Sequence, residues 1–376
     1  MPTTPPYWLQ LSNIPASKPT LWFRMDHQSI QTHDFTEIPS HDFLNKVWSP
    51  QEARLTPYQG GYLGLIPYNA FDSSTQHSIR IFRLNSMTHH THIPTWKPQT
   101  PRWTLKAQDS DDNYLNTVEH VLNDIKNGRY YQINIIRFFK ILHDIKQKEI
   151  IQKFSRQGGP WSAWCRVPNL EVASFSPERF LHIAPQSSQD YKMTTWPIKG
   201  TRPRHHDPLK DYQQKISLLH SRKEQAELHM IVDLMRNDMN IVSTPRSVKV
   251  LCPGKISSFS DIHHNIAKIS SSLRPFSFNK LFQSMCPGGS ITGTPKNEVM
   301  KAIKEYETAS RKYFMGHIFY WDDAHILESN ILIRTLVQEQ NSWAYAAGGG
   351  LTLRSLPQEE LDEIKLKCES VMQSKN

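Results

Sequence analysis

The spacing of apolar residues predicts helices and strands in an irregular order along the chain. A segment from about residue 110 predicts a helix that ends at Gly128. Its apolar residues fall on one helical face and are Leu115, Val118, Val121, Leu122 and Ile125. Two strand-like runs follow this helix, over 130–142 and 171–184.

The N-terminal and C-terminal regions differ in this pattern. Short strand-like runs such as 60–68 and 78–84 dominate the first hundred residues, and no long helix is predicted there. After about residue 215, helices are predicted over 222–238, 296–307 and 357–372, and strands over 317–321, 326–338 and 342–348. Because this order lacks the regular strand–helix–strand repeat of a doubly wound sheet, we expect an α+β fold with mixed or antiparallel sheets flanked by helices.

No repeat or long linker divides the chain into independent units. At 376 residues it is long enough to bury a large core, so a single large domain is expected. We predict that residues 1–105 form a strand-rich region integrated into the fold, and that residues 106–376 carry the functional region.

Composition limits the class of protein. A hydrophobic fraction of 38% and ten Trp indicate a globular chain. The net charge of +9 comes from basic residues scattered among acidic ones, which favours an anionic small molecule or an acidic partner surface over nucleic acid. No apolar run reaches the length of a membrane span and the N-terminus lacks a signal-peptide pattern, so a cytoplasmic protein is expected. The four cysteines stand too far apart for a zinc motif or a disulfide framework.

Two pairs of glutamates share the spacing E-x-x-E on predicted helices. Glu224 and Glu227 project from one face of the helix predicted over 222–238. Glu360 and Glu363 project from one face of the helix predicted over 357–372. Four carboxylates in one place would repel one another unless a cation neutralised them, and oxygen ligands suit Mg²⁺. Spacing does not show that the pairs meet, so solvated decoration of two helices stays an alternative.

The segment "TTWPIKGTRPRHHD" (194–207) places Lys199 after an isoleucine and before a glycine. A lysine in such a loop is commonly a solvated surface charge. A lysine whose pKa is lowered by its surroundings can instead act as a nucleophile. The segment alone leaves both interpretations open.

A glycine-rich segment, "MCPGGSITGTPK" (285–296), leads into a helix that is predicted to begin near Pro295. Backbone N–H groups of such a loop can bind an anion. The segment is not a Walker A loop, because Thr294 and Pro295 stand where Lys and Ser or Thr are required. Nucleotide binding is therefore not predicted.

Two further features are candidates for binding a carboxylate. The three glycines of "AAGGGLT", Gly348 to Gly350, follow a predicted strand and form either a carboxylate-binding segment or a tight turn. Arg334 lies in the predicted apolar strand 326–338 and requires an acidic partner, from the substrate or from the protein.

Six motifs occur in an order that resembles the chorismate-utilising enzymes. They are "SFSPERF", "PIKGTRPR", "KEQAELHMIVDLMRND", "CPGGSITGTPK", "NILIRTL" and "AAGGGLTLRSLPQEELDEIKLK". The family includes anthranilate synthase component I, aminodeoxychorismate synthase component I, isochorismate synthase and salicylate synthase. The resemblance spans about 110–370 and is weak over the first hundred residues. It implies a large sandwich of two sheets like that of anthranilate synthase component I, with the substrate site between the sheets and residues 106–376 as the chorismate-binding catalytic region.

The resemblance also implies residue roles. Glu178 would be the general acid that protonates the departing C4 hydroxyl of chorismate, which is a poor leaving group without a proton. Mg²⁺ would hold the ring carboxylate, with Glu227 and Glu363 as direct ligands and Glu224 and Glu360 bound through water. The residues expected to bind substrate are Gln132, Thr201, His264, Thr292, Arg334, Gly348, Gly349, Gly350 and Lys367.

Two positions discriminate within the family. Gln132 stands where isochorismate and salicylate enzymes carry a lysine that activates water, so the nucleophile is not expected to be water. Lys199 lies in "PIKGT", which is similar to the aminodeoxychorismate synthase form, whereas anthranilate synthases resemble "PIAGT". In the former group the lysine attacks C2 of chorismate as the C4 hydroxyl leaves, and ammonia then enters at C4 and expels it. The resemblance thus implies 4-amino-4-deoxychorismate as product, for para-aminobenzoate and folate synthesis.

The source of ammonia is expected to be another chain. No cysteine lies in a G-x-C-x-G turn, so a separate glutamine amidotransferase subunit is the expected partner. No pyridoxal phosphate lyase segment occurs that would convert the product further. Two alternatives remain, an anthranilate synthase component I in which Lys199 is a bystander and a non-catalytic chorismate-binding relative. His229, Phe319 and Arg354 depart from the residues usual in the family.

Overall fold

The computed structural model describes residues 20–25, 28–32, 34–53, 60–71, 79–90, 103–157, 159–258 and 262–372. The helices in this part are α1 (Ser40–Asn45), α2 (Asp111–Lys126), α3 (Gln147–Gln157), α4 (Pro208–His220), α5 (Arg222–Val242), α6 (Phe278–Met285), α7 (Lys296–Tyr306) and α8 (Pro357–Met372). The strands are β1 (Thr20–Met25), β2 (Gln28–Thr32), β3 (Phe35–Ile38), β4 (Val47–Trp48), β5 (Gly61–Ile66), β6 (Arg80–Leu84), β7 (Thr88–His90), β8 (Leu105–Ala107), β9 (Gln132–Ile141), β10 (Ala163–Val167), β11 (Leu170–Ser174), β12 (Arg179–Pro185), β13 (Tyr191–Thr195), β14 (Ile198–Pro203), β15 (Lys249–Ser258), β16 (Ile262–Leu273), β17 (Phe276–Ser277), β18 (Gly293–Thr294), β19 (His317–Asp322), β20 (Leu327–Ile331), β21 (Thr335–Glu339) and β22 (Ser342–Thr352).

Two ten-stranded sheets form the centre of the molecule. The first has the order β18-β9-β22-β21-β11-β10-β1-β2-β7, with β8 also paired to β9. The second has the order β14-β16-β13-β12-β20-β19-β5-β6-β3, with β15 also paired to β16. The strand pairs are antiparallel, as in β9 with β22 and β12 with β20. The predicted α+β class, with two sheets and flanking helices, is confirmed.

The strands of the N-terminal region pair with strands from later in the chain. In the first sheet β1 lies beside β10, and in the second sheet β5 lies beside β19. Side chains from both ends of the chain then pack together, because Phe43 stacks on Phe278 at 4.9 Å and on Phe319 at 5.8 Å between ring centroids. The apolar core therefore joins the first hundred residues to the last hundred.

The long helices begin at local capping signals. The Ser110 side chain accepts a hydrogen bond from Asn113 N at the start of α2, and Ser221 accepts one from Glu224 N at the start of α5. Both helices bury an apolar face, as their patterns predicted, and α7 and α8 also lie at the predicted positions. In contrast, α4 was not predicted, although Asp207 caps it and Pro208 begins it, because its apolar residues do not mark a buried face. None of the helices described is long and apolar enough to cross a membrane.

Two local predictions were wrong, and one alternative that the sequence left open is excluded. The segment 326–338 is not one strand, because β20 ends at Ile331 and Arg334 lies in a turn with a left-handed φ of 50°. Gly348 to Gly350 do not form a turn but lie inside β22, where a Cβ on Gly348 would come within 2.1 Å of Ile135 O on the neighbouring strand. Lys199 lies on β14 rather than in a loop.

Candidate active site

Lys199 links the two sheets at one edge of the molecule. Its side chain extends from β14 of the second sheet towards β22 of the first, because a Cβ built on Gly350 would lie 3.0 Å from Lys199 Nζ. The same Cβ would lie 2.8 Å from Gln132 Nε2. The missing side chain at Gly350 therefore leaves room for an amine and an amide side by side, with Lys199 half-buried.

Glu178 is a buried carboxyl group that precedes β12. Burial raises its pKa to about 7, while a hydrogen bond from Ser290, the charge of Lys199 and a backbone hydrogen bond at Ile198 act in the opposite direction. The Ser290 hydroxyl donates to Glu178 Oε1 at 2.9 Å. Glu178 can therefore hold a proton near neutral pH and release it to a leaving group.

The structure brings the two E-x-x-E pairs towards each other. Glu227 on α5 and Glu360 on α8 are buried, with exposed fractions of 9% and 3%. Burial raises the pKa of Glu227, the charges of Lys199 and Lys223 lower it, and the charges of Glu360 and Glu363 raise it further. A Cβ on Gly349 would lie 2.9 Å from Glu360 Oε2 and 4.0 Å from Glu363 Oε1. Glu227, Glu360 and Glu363 thus belong to one electrostatic environment, and Glu224 lies three residues before Glu227 on α5.

Basic side chains pair with most of these carboxylates. The ion pairs join Lys223 Nζ to Glu360 Oε1 at 3.5 Å, Lys367 Nζ to Glu363 Oε1 at 2.6 Å and Arg202 Nη1 to Glu224 Oε1 at 2.7 Å. Lys367 also donates to Gly348 O at 2.6 Å. Burial raises the pKa of Glu363, but Lys367, Lys199 and Lys223 together lower it by more, so that this pKa lies below its ordinary value. In the described ranges no ion pair involves Glu227.

The donor chemistry of this cluster suits Mg²⁺, although its spacing is not that of a ready coordination sphere. Across the residues that the structure describes, no three His, Cys, Asp or Glu side chains are arranged to hold one metal ion. Two observations fit a cation. Glu224 Oε2 is buried without a hydrogen-bond partner, and Gly349 leaves space beside Glu360. Oxygen-only donors of this kind are typical of Mg²⁺, which also takes substrate oxygens.

Arg334 brings an unpaired guanidinium to the site. In the described part of the chain no hydrogen bond or ion pair holds it, and the turn between β20 and β21 directs it towards His264. Burial lowers the pKa of His264 to about 3, and the charge of Arg334 lowers it too. The Thr201 hydroxyl lies 2.9 Å from Nδ1 of this neutral imidazole. Because no carboxylate among the described residues neutralises Arg334, an anion from solution can pair with it.

Thr292 and Gln132 differ in whether their side-chain oxygens already form hydrogen bonds within the protein. The Thr292 hydroxyl donates to Gly288 O at 2.9 Å and accepts from Tyr68 OH at 3.4 Å. Gln132 Oε1 is buried without a hydrogen-bond partner. Gln132 is therefore free to accept a hydrogen bond from a ligand, whereas Thr292 is already engaged.

The residues that depart from the family pattern lie apart from these groups. His229 and Arg354 are exposed. Phe319 belongs to the aromatic core, where it stacks on Phe278 at 5.6 Å and fills the space left by Gly64. Phe319 therefore has a packing role.

Sequence reasoning missed two residues of the site, Ser290 and Lys223. Both lie within the quoted motifs, and Lys223 directly precedes Glu224. Their partners, Glu178 and Glu360, are more than a hundred residues away along the chain. No spacing rule for a single helix or strand could have indicated these contacts.

Comparisons with known proteins show which sequences and folds this chain is similar to. Aminodeoxychorismate synthase component 1 of Salmonella typhimurium is 36% identical over 251 residues, 66% of this chain and 54% of its own length. Anthranilate synthase component I-like protein of Synechocystis sp. is 32% identical over 279 residues, 73% of this chain and 56% of its own length. The chain thus spans about half the length of these curated relatives. The crystal structure of anthranilate synthase component I from Streptococcus pneumoniae has the same fold, with a TM-score of 0.76 at 20% identity over 94% of this chain and 90% of that one.

The family described as chorismate binding enzyme matches residues 22–373. This range includes both glutamate pairs, Lys199, Glu178 and Arg334. The chain therefore belongs to the family of chorismate binding enzymes.

Proposed function

We propose that this chain converts chorismate and ammonia into 4-amino-4-deoxychorismate through a covalent adduct on Lys199. The observation that carries the proposal is the position of the Lys199 amine, which adjoins Gly350 and Gln132 between the sheets. The charge of this amine also lowers the pKa of Glu178, Glu227 and Glu363. One lysine thus adjoins the candidate acid and both glutamate pairs.

In the first step the Lys199 amine attacks C2 of chorismate. A C2–N bond forms, both conjugated ring double bonds shift by one position (C1=C2 to C1=C6 and C5=C6 to C4=C5), and the C4–O bond breaks. Glu178 donates its proton to the departing hydroxyl, which leaves as water, and the proton lost by the attacking nitrogen restores the acid. The adduct therefore has the mass of protein plus chorismate less one water.

In the second step ammonia attacks C4 of the adduct. Both ring double bonds shift back, the C2–N bond breaks, and the Lys199 nitrogen recovers its electron pair and takes up the proton that the incoming ammonia loses. Gln132 cannot remove a proton from water, so hydrolysis at C2 has no base at that position. Release of free lysine and 4-amino-4-deoxychorismate completes the cycle.

Binding of the two carboxylates of chorismate is assigned to the remaining charged groups. Arg334 carries a positive charge that no acid in the described part of the chain pairs with, and the backbone of Gly348 to Gly350 adjoins Glu360 and Lys199. Glu224, Glu227, Glu360 and Glu363 would hold Mg²⁺, which when bound neutralises these acids and attracts a substrate carboxylate. A magnesium titration by calorimetry tests this assignment, and Glu227→Gln should weaken Mg²⁺ binding while Glu298→Gln, on the exposed side of α7, should not.

The test of the reaction is product identification. Purified protein is incubated with chorismate, Mg²⁺ and ammonium, and the products are separated and identified by mass. We expect 4-amino-4-deoxychorismate. Anthranilate as the main product, with activity retained in Lys199→Ala, would instead establish the anthranilate synthase alternative, and the absence of any product would favour a non-catalytic relative.

The partner and the cellular role are further parts of the proposal. The relative in Salmonella typhimurium is named component 1, which implies a second component. We assign that role to a glutamine amidotransferase subunit that supplies ammonia, in the cytoplasm, for para-aminobenzoate and folate synthesis. Glutamine-dependent turnover that requires the second subunit, beside ammonium-dependent turnover that does not, would support this assignment.

A further inference from the structure

Helix α4 presents an apolar stripe to solvent. Leu209, Tyr212, Ile216 and Leu219 follow one another at spacings of three, four and three residues, so they share one helical face. The exposed fractions of Leu209, Tyr212 and Leu219 are 75%, 62% and 41%, and Ile216 is half-buried. Single exposed apolar residues are common, but a continuous stripe on one helix marks an interaction surface.

The borders of this stripe are basic. The exposed or half-buried basic residues between 205 and 222 are His205, His206, Lys210, Lys215, His220 and Arg222. The same segment contains two acids. Asp211 is buried and paired with Arg204 at 2.8 Å, and Asp207 Oδ1 caps the helix by accepting from Leu209 N at 2.9 Å. The surface around the stripe therefore favours an acidic partner and disfavours a second copy of the same face.

The opposite face of α4 anchors the strand that carries Lys199. Asp211 Oδ1 accepts hydrogen bonds from Arg204 Nε at 2.8 Å and from His205 N at 3.0 Å, and it lies 2.9 Å from His263 Nε2. A Cβ on Gly200 would lie 2.7 Å from Leu218 Cδ1. One helix, about 10 Å across, therefore separates the apolar stripe from the strand of the catalytic lysine.

We infer that the outer face of α4 is the docking surface for the ammonia-supplying subunit. That subunit would present to α4 an apolar groove bordered by acidic residues. The inference rests on the proposed function, which requires ammonia from another chain. The stripe supplies the apolar anchors, with a tyrosine among them, and Lys215 and Arg222 supply the complementary charge. A subunit seated there would release ammonia beside the sheet edge that carries Lys199.

The test compares wild type with the double variant Leu209→Glu/Tyr212→Glu. Both proteins are expressed with an affinity tag in the organism's own cells, and the proteins that copurify are identified by mass spectrometry. Glutamine-dependent and ammonium-dependent turnover are then measured on the same preparations. Because both replaced side chains are exposed, the fold should tolerate the change.

We expect a glutamine amidotransferase to copurify with wild type and to be lost from the double variant. Glutamine-dependent turnover should fall by about tenfold or more, as for loss of central interface anchors, while ammonium-dependent turnover stays within about twofold. Higher salt should weaken the wild-type complex, since the border is charged.

Three results would overturn the inference. These are an amidotransferase that copurifies equally with both proteins, copurification of a different protein through this surface, and no amidotransferase with wild type. Failure of the proposed reaction is seen separately, as absence of ammonium-dependent product in wild type. Leu142→Glu is the matched control, because Leu142 is also an exposed leucine (58%) but follows β9 on the other sheet, and it should leave the complex intact.

Discussion

Two buried charge clusters contact adjacent residues of one segment, Ser290 and Ile291, and they are built differently. In one, Glu178 receives a single side-chain hydrogen bond, from Ser290, and Lys199 acts on it only through its charge. In the other, Arg311 binds Glu307 through both Nε and Nη2, at 2.8 and 2.5 Å. The carboxyl groups of both clusters are deeply buried, but only that of the second is paired directly with a base.

The Arg311 cluster satisfies its members with protein groups alone. Arg311 also donates to Ile291 O at 2.8 Å and to Asn134 O at 2.6 Å, while Glu307 accepts from Ile136 N at 3.0 Å. The Glu178 cluster instead leaves its charges available for a ligand. In the proposed reaction the incompletely paired charges carry the chemistry, whereas the paired buried charges hold the fold.

The largest expected effect is the loss of the nucleophile. Lys199→Ala should lower ammonium-dependent formation of 4-amino-4-deoxychorismate by about 10⁴-fold or more, because no other amine replaces the attacking group. Intact-protein mass spectrometry with chorismate and without ammonia should show the dehydrated chorismate adduct on wild type only. Lys199→Arg keeps the charge near Glu178 and serves as control, and turnover by that variant at the wild-type rate would contradict the covalent route.

The second largest effect is expected from loss of the Glu178 carboxyl group. Glu178→Gln should slow adduct formation by about 10²–10³-fold, since the hydroxyl then leaves without a proton. In wild type the rate of this step should fall as pH rises through about 7, where the raised pKa of Glu178 releases the proton. Single-turnover measurements without ammonia avoid the titration of ammonia itself. A rate that stays constant between about pH 6 and about pH 8 would exclude Glu178 as the acid.

The raised pKa of Glu178 also predicts a dependence of stability on pH. The folded state holds this proton up to about pH 7, whereas the unfolded carboxyl loses it near its ordinary value of 4.5. The contribution to stability is therefore fully present below 4.5 and is lost as pH rises through about 7. Urea unfolding of wild type and Glu178→Gln across this range should show the dependence in wild type and a flatter profile in the variant.

Substitution in the cluster of Glu307 and Arg311 should lower the stability of the fold. Glu307→Gln leaves the buried Arg311 charge without its partner and should lower the free energy of unfolding by about 3 kcal/mol or more. Lys199→Met removes a charge from the other cluster, where it is half-buried, and should change stability by less than about 1 kcal/mol. Urea denaturation of both variants measures the contrast, and equal destabilisation would remove the distinction drawn between the clusters.

The sequence predicted the fold where one local pattern sufficed. The long amphipathic helices α2, α5, α7 and α8 were predicted because each buries a continuous apolar face. The segment 326–338 was not, because an apolar run does not reveal the left-handed turn at Arg334. Helix α4 was missed for a related reason, since its stripe of Leu209 and Tyr212 faces solvent.

The candidate site could be predicted from the sequence only through the order of motifs. Spacing placed Glu224 with Glu227 and Glu360 with Glu363, but contact between the pairs depends on how α5 and α8 pack, which no local pattern encodes. The same limit explains why Ser290 was missed. Its partner Glu178 is 112 residues distant, and the hydrogen bond exists only because the segment 285–296 folds back onto the start of β12.

Ser290 allows the finest test of the comparison, because among the described residues it is the one side chain that hydrogen-bonds the Glu178 carboxyl group. Its hydroxyl donates to Glu178 Oε1 and favours the ionised carboxylate. Ser290→Ala should therefore raise the pKa of Glu178 and move the fall in adduct-formation rate to higher pH, by less than about one unit for a single hydrogen bond. Ser284→Ala removes a hydroxyl that donates instead to Asp238 O and should leave the pH profile unchanged. A profile that moves equally in both variants would mean that Ser290 acts through packing, and a shift confined to Ser290→Ala would show that one hydrogen bond sets the pH range of the acid.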